Sequence, residues 1–157
     1  MNAAHILELA KSQGLMITTA ESCTGGLIAA TLTEIAGSSA VFERGFVTYT
    51  NAAKHEMLGV QDQTLIKYGA VSEKVAAEMA RGALTHSNAQ LAVSVTGIAG
   101  PGGSDFKPEG RVCFCLATPT KAATQTVEFG ALGRANVRHA ARDHALEIIL
   151  SALSQSA

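Results

Sequence analysis

Three segments of this sequence carry residues that could do chemistry. The first is Thr19-Ala20-Glu21-Ser22-Cys23-Thr24-Gly25-Gly26. Polar side chains stand here between a β-branched run and an apolar helical run, and such a junction either turns the chain or meets a ligand. A hydroxyl at Ser22 would meet the free N–H groups and positive end of the following helix. That setting suits a nucleophile whose product carries an oxyanion. Gly25 and Gly26 leave room for close approach. The same residues also suit an ordinary helix start, with Ser22 or Thr24 as cap and Cys23 packed inward.

The second segment is Tyr49-Thr50-Asn51-Ala52-Ala53-Lys54. A lysine acts as a general base only when desolvation or a nearby positive charge lowers its pKa. Its neighbours Ala52, Ala53 and Met57 allow partial burial, which would make Ser22 and Lys54 a two-residue alternative to Ser-His-Asp. They stand far apart in sequence, so only the fold can join them. The bland alternative is a solvated surface lysine.

The third is the loop from Gly97 to Gly110. Gly97, Gly100, Gly102 and Gly103 can turn successive N–H groups onto an anion, and Lys107 shares the loop. It matches neither the G-x-x-x-x-G-K-[ST] phosphate loop nor the dinucleotide fingerprint, and a plain flexible loop is equally allowed. Arg134 and Arg138 share a helix face at i and i+4. With Arg142 they form a ridge that either meets a phosphate or is simply solvated. The five histidines form no H-E-x-x-H pattern, so no metal is expected. Cys113 and Cys115 alternate with Phe114 in a strand-like run, which puts both sulfurs on one face as buried free thiols. Glu43 and Arg44 are expected at a strand edge, or one of them at the pocket.

The elements that must position these residues alternate between helix and strand. Helical patterns cover about 3–13, 25–36, 51–58, 62–68, 72–87 and 132–153. Asn51 and Ser72 are candidate caps. Strand patterns cover 15–20, 42–50, 91–96, 110–118 and 123–129. Helices between apolar strands imply layers on both faces of a sheet. The last two strands are joined so closely that they must pair antiparallel, so the expected sheet is mixed. The glycine loop follows a strand end, where such folds place ligands.

Length and composition set the frame. A chain of 157 residues suits one domain, taken as residues 1–157. Hydrophobic residues are 47% and charged ones 16%, which excludes a disordered tail. The net charge of −1 argues against nucleic-acid binding. The start Met1-Asn2-Ala3-Ala4-His5 has no basic, apolar leader pattern, and no run is apolar enough to span a membrane. A cytoplasmic location is expected.

Taken together, the motifs resemble the competence/damage-inducible protein CinA, C-terminal domain family. The resemblance rests on Ala20 to Gly26, Ala36-Gly37-Ser38-Ser39, Phe42 to Tyr49, Asn51-Ala52-Ala53-Lys54 and Gly59-Val60. It continues through Gly69-Ala70-Val71-Ser72-Glu73, Ser94 to Pro101, and Lys107-Pro108 followed by Gly110. These occur in order over about residues 4–152. Longer relatives carry a molybdopterin-binding-like domain first, and this chain resembles the stand-alone form. The resemblance implies a three-layer α/β/α sandwich around a mixed, mostly parallel sheet, in a homodimer or higher oligomer. It also implies a nicotinamide-nucleotide amidase that hydrolyses the carboxamide of nicotinamide mononucleotide (NMN), for pyridine nucleotide recycling, with no cofactor.

Carried over residue by residue, Ser22 resembles the nucleophile and Lys54 its base, with Tyr49 completing the network. Backbone N–H groups at Cys23, Thr24 and Gly25 would hold the oxyanion. Glu21, Thr96 and Gly97 would face the substrate. The phosphate would meet Arg134, Arg138 or the Gly100, Gly102 and Gly103 loop. Relatives commonly read Lys-Pro-Val-Gly-Thr-Val where this chain has Lys107-Pro108-Glu109-Gly110-Arg111-Val112, and Gly133 stands where they often have Asp. Two alternatives are an amidase for another small metabolite and a non-enzymatic protein-interaction module.

Overall fold

A computed structural model describes residues 2–156. The order is α1 (Asn2–Ser12), β1 (Ile17–Glu21), α2 (Leu27–Thr33), a 3₁₀ turn (Ser38–Ala40), β2 (Phe42–Val47), α3 (Asn51–Leu58), α4 (Asp62–Tyr68) and α5 (Glu73–Thr85). Then come β3 (Leu91–Gly97), β4 (Arg111–Ala117), β5 (Ala122–Glu128) and α6 (Arg134–Gln155). The five strands form one sheet in the order β2-β1-β3-β4-β5. β1 pairs parallel with β2 and β3, while β4 pairs antiparallel with β3 and β5. Four strands therefore share a direction and β4 alone is reversed. The sheet is mixed and mostly parallel by strand direction, although the pairings divide evenly.

The strands read as alternating faces because their side chains do. Leu91, Val93 and Val95 of β3 and Phe114 of β4 join one core with α1, α2 and α6. Ala92, Cys113 and Cys115 join the other core with Val75, Ala76 and Met79 of α5. Helices thus cover both faces, giving the three-layer α/β/α arrangement. Both thiols lie on one face, and Cys23, Cys113 and Cys115 are free and buried. Each fully buried Leu, Ile, Val or Met side chain contributes roughly 1.5–3 kcal/mol. No helix among the described residues is long and apolar enough to cross a membrane.

Some boundaries differ from the sequence pattern. α2 runs only from Leu27 to Thr33, because Gly25 and Gly26 have positive φ (57° and 104°) and belong to a turn. β2 stops at Val47, and the cap of α3 is Thr50 rather than Asn51. Thr50 is extended and its hydroxyl accepts the Ala53 N–H at 3.1 Å. Ser72 caps α5 as expected, accepting the Val75 N–H at 3.2 Å.

One glycine sets where α3 lies. A Cβ on Gly82 of α5 would stand 2.0 Å from the Leu58 carbonyl at the end of α3. Gly82→Ala therefore forces α3 away from α5. We expect it to destabilise the fold by about 1–3 kcal/mol, an overpacking cost, and to lower activity because α3 carries Lys54. A thermal melt beside the wild type checks this, and an unchanged Tm would contradict it.

Candidate active site

The carboxyl ends of β1, β2 and β3 lie along one sheet edge, the side on which open α/β sheets bind ligands. Ser22 directly follows β1, and its N–H donates to the Val95 carbonyl at 2.9 Å. Thr48 directly follows β2, and its N–H donates to the Glu21 carbonyl at 2.9 Å. Two extra ladder bonds thus fix Ser22 beside the chain that leads into α3.

Lys54 lies on the inner side of α3 and is 1% exposed. Its Nζ stands 2.9 Å from Ser22 Oγ, 2.9 Å from the Thr48 carbonyl and 3.2 Å from the Tyr49 carbonyl. The two carbonyls can only accept, so they take two N–H donors. The third position faces the serine hydroxyl. In neutral Lys54 that position holds the lone pair, so Ser22 Oγ–H can donate into it. Among the described residues Lys54 makes no ion pair. Burial brings its pKa down to about 8, with a small opposing effect from Cys23. Cys23 moves the other way. Burial pushes its thiol up to about 12, against smaller lowering effects from its own backbone N–H, Lys54 and Arg138. At neutral pH the neighbouring thiol is a protonated packing group.

Two sequence-selected residues support the site from behind. Glu21 is 1% exposed and does not line the cavity. Its Oε1 accepts from Thr24 Oγ1 (2.7 Å) and from the Gly26 and Ile28 N–H groups (3.2 and 3.0 Å). Its Oε2 accepts from the Ala29 N–H at 3.0 Å. A substrate-facing place for Glu21 is therefore corrected: its carboxylate is the anion at the start of α2. Arg138 is likewise turned away from the cavity. Its Nε donates to the Cys23 carbonyl at 3.0 Å and its Nη2 to the Thr24 carbonyl at 3.4 Å, clamping the serine turn. Arg142 pairs with Asp143. Glu43 and Arg44 pair with each other on β2, and neither lines the cavity.

Oxyanion donors narrow accordingly. The Gly25 N–H donates to the Ser22 carbonyl at 3.0 Å, so it is already committed. The Cys23 N–H meets only its own thiol, the Thr24 N–H has no backbone acceptor among the described residues, and of the two only Cys23 lines the cavity. Glu21→Gln would set an amide NH₂ against backbone donors. We expect a loss of roughly 1.5–3 kcal/mol and a lower kcat, read by a melt and by turnover. A variant with wild-type stability would contradict the capping role.

Ser22, Lys54 and Cys23 open into a cavity of about 320 Å³ walled by the glycine loop. That lies at the small end of ligand pockets. Thr96 and Gly97 line it, with the Thr96 hydroxyl on the Ala70 carbonyl at 2.9 Å. Tyr49 takes part through its main chain. Its side chain is 55% exposed, and its phenol oxygen accepts from Arg134 Nη2 at 2.6 Å. Arg134 Nη1 also donates to the Gly100 carbonyl at 2.7 Å, so Arg134 joins two sides of the cavity mouth. Gly102 and Gly103 line the wall, yet the Gly102 N–H donates to Glu109 Oε1 at 2.6 Å. The expected row of free loop N–H donors is therefore interrupted.

Lys107 lines the wall and straps the loop to the Tyr68 and Val71 carbonyls at 2.6 and 2.5 Å. Arg111, which stands where relatives commonly have Thr, is paired with Glu128 on β5 at 2.8 Å. Asn51, expected as a helix cap, lines the cavity instead, and so does Asp105. Asn51 is free for this place because Thr50 caps α3. Among the described residues no group of three or more His, Cys, Asp or Glu side chains is placed to hold a metal.

Comparison with known proteins places this geometry in company. Residues 1–153 match the CinA C-terminal domain. The nicotinamide-nucleotide amidohydrolase PncC of Escherichia coli strain K12 is 52% identical over 140 residues, covering 88% of this chain and 85% of that protein. A CinA-like protein of Chloroherpeton thalassium is 57% identical over 123 residues, 78% of this chain but 29% of that longer protein. The crystal structure of competence/damage inducible protein CihA from Agrobacterium tumefaciens superposes with a TM-score of 0.93 at 52% identity. It covers 98% of this chain and 93% of that one.

Proposed function

We propose a function from one premise: the chain belongs to the CinA C-terminal domain family. It acts as a nicotinamide-nucleotide amidohydrolase, as its relatives of that name do. The substrate we assign is NMN, hydrolysed to nicotinate mononucleotide and ammonia. The observation that carries the mechanism is the buried Lys54 Nζ, 2.9 Å from Ser22 Oγ and in no ion pair among the described residues.

Ser22 Oγ attacks the carboxamide carbon as its proton passes to neutral Lys54 Nζ. The tetrahedral oxyanion is held by the Cys23 N–H, the one of the two that lines the cavity. The C–N bond then breaks and Lys54 returns the proton to nitrogen, releasing ammonia. An ester on Ser22 remains. Water attacks it, Lys54 takes the water proton, the ester C–O bond breaks, and the proton returns to Ser22. The Thr48 and Tyr49 carbonyls hold Lys54 throughout, so the Tyr49 phenol is not needed as an acid. Arg134 and Lys107 give the cavity wall its positive charge, which fits a 5′-phosphate.

Turnover should follow the neutral fraction of Lys54. That fraction grows as pH rises through about 8, so kcat/KM should climb about tenfold per pH unit below that value and then level off. A profile measured from about pH 6 to about pH 10 that stays flat would contradict Lys54 as the base.

The substrate assignment is tested by ammonia release from NMN, free nicotinamide and glutamine in parallel. NMN should be the preferred source. Preference for another amide would leave the dyad in place and change the substrate. A non-enzymatic module is disfavoured by the concave site that holds Ser22 and Lys54. Assembly as a homodimer or higher oligomer belongs to the same proposal and is read by light scattering.

A further inference from the structure

Glu109 does not line the cavity, yet it touches the glycine loop that does. The glycine loop is pinned at its base, where the Ile98 N–H donates to the Arg111 carbonyl (2.9 Å) and the Gly110 N–H to the Ile98 carbonyl (2.8 Å). It is pinned at its tip, where Ser104 and Lys107 exchange backbone bonds of 3.0 and 2.8 Å. Among the described residues, two side chains hold residues 99–103 between these pins. Arg134 takes the Gly100 carbonyl, and Glu109 Oε1 takes the Gly102 N–H at 2.6 Å.

The second hold is also a packing contact. A Cβ on Gly100 would stand 2.5 Å from Glu109 Cδ and 2.6 Å from its Oε1, so the carboxylate lies directly against the bare Gly100 backbone. Gly100 has φ +91°, open to glycine and costly for other residues. The backbone conformation and the missing side chain both serve this seat for Glu109.

The consequence follows from peptide geometry. In a planar trans peptide the N–H and the preceding C=O point in opposite directions. With the Gly102 N–H held on Glu109, the Pro101 carbonyl must face away from Glu109. Pro101 has no N–H of its own, so with the Gly102 N–H turned onto Glu109 neither residue offers the cavity a donor. We propose that Glu109 is a positioning residue that sets substrate affinity, by seating the Gly100–Gly102 segment and fixing which way its central peptide faces. The proposal rests on the amidase reading for its substrate, though not for its geometry.

The test compares wild type, Glu109→Gln and Glu109→Ala in three measurements: thermal melting, kcat and KM for NMN, and hydrogen exchange at the Gly102 amide. Glu109→Ala removes the acceptor. It should raise KM about 10-fold with kcat within about 3-fold, and speed Gly102 exchange at least about 10-fold. Glu109→Gln keeps an acceptor oxygen and should stay within about 3-fold of wild type in all three. If Glu109→Ala does not fold, Glu109→Met, which fills the space without an acceptor, takes its place.

Unchanged KM in the acceptor-free variant would overturn the proposal, as would a loss confined to kcat. Glu109→Gln as impaired as Glu109→Ala would also overturn it, because charge rather than the hydrogen bond would then be at work. If wild type fails to hydrolyse NMN, the amidase reading falls, and the Gly102 exchange rates still decide whether Glu109 holds the loop.

Discussion

Ser22→Ala leaves less than about 1% of the wild-type kcat for NMN while the protein still folds. The expected loss is large because nothing nearby replaces the hydroxyl. The adjacent Cys23 thiol is buried and its pKa is pushed up to about 12, so it stays protonated at working pH. Losing Oγ also leaves the third Nζ position of Lys54 without its partner, while the Thr48 and Tyr49 carbonyls keep theirs. Ammonia release and a thermal melt on the same preparation separate lost chemistry from lost fold. A folded Ser22→Ala protein with wild-type turnover would remove Ser22 from the mechanism.

Lys54→Met loses about 10²- to 10⁴-fold in kcat, the range for removing a general base. Lys54→Arg should be no better, because a guanidinium keeps its proton. The lysine also leaves a mark on stability. Its folded pKa of about 8 lies below the ordinary value of 10.5. Between those two values the unfolded chain binds more protons, so stability rises with pH across that window. Below about pH 8 the burden of burying the charge is fully present. The shift corresponds to roughly 3 kcal/mol. Denaturation of wild type and Lys54→Met at about pH 7 and about pH 10.5 should show the wild type gaining most of that amount relative to the variant. A difference constant with pH would mean that Lys54 is not desolvated.

Much of the architecture was legible because it follows periodicity. The strand around Ile17 is a β-branched run, those around Leu91 and Phe114 are apolar runs bounded by turn residues, and Ser72 before Glu73 is a helix start in pattern as in structure. The nucleophile turn was legible as polar residues where none are needed for packing. What the pattern left open was which partners fold onto which backbone groups. Glu21 looks like a pocket acid until β1 and α2 meet and four donors converge on it. Arg138 looks like a phosphate ligand until α6 packs behind the serine turn. Tyr49 lies one residue beyond Thr48 in the turn after β2, where Thr48 is buried and the Tyr49 ring is exposed. Only its carbonyl reaches Lys54. Ser22 and Lys54 are 32 residues apart, and no local pattern reports that distance closing to 2.9 Å.

The most direct test of the central claim is to trap the intermediate. Protein turning over NMN is quenched in acid, digested and mapped by mass spectrometry. An acyl adduct is expected on the peptide carrying Ser22, absent from Ser22→Ala treated in the same way. An adduct on Cys23 or any other residue, or one that persists in Ser22→Ala, would contradict the claim.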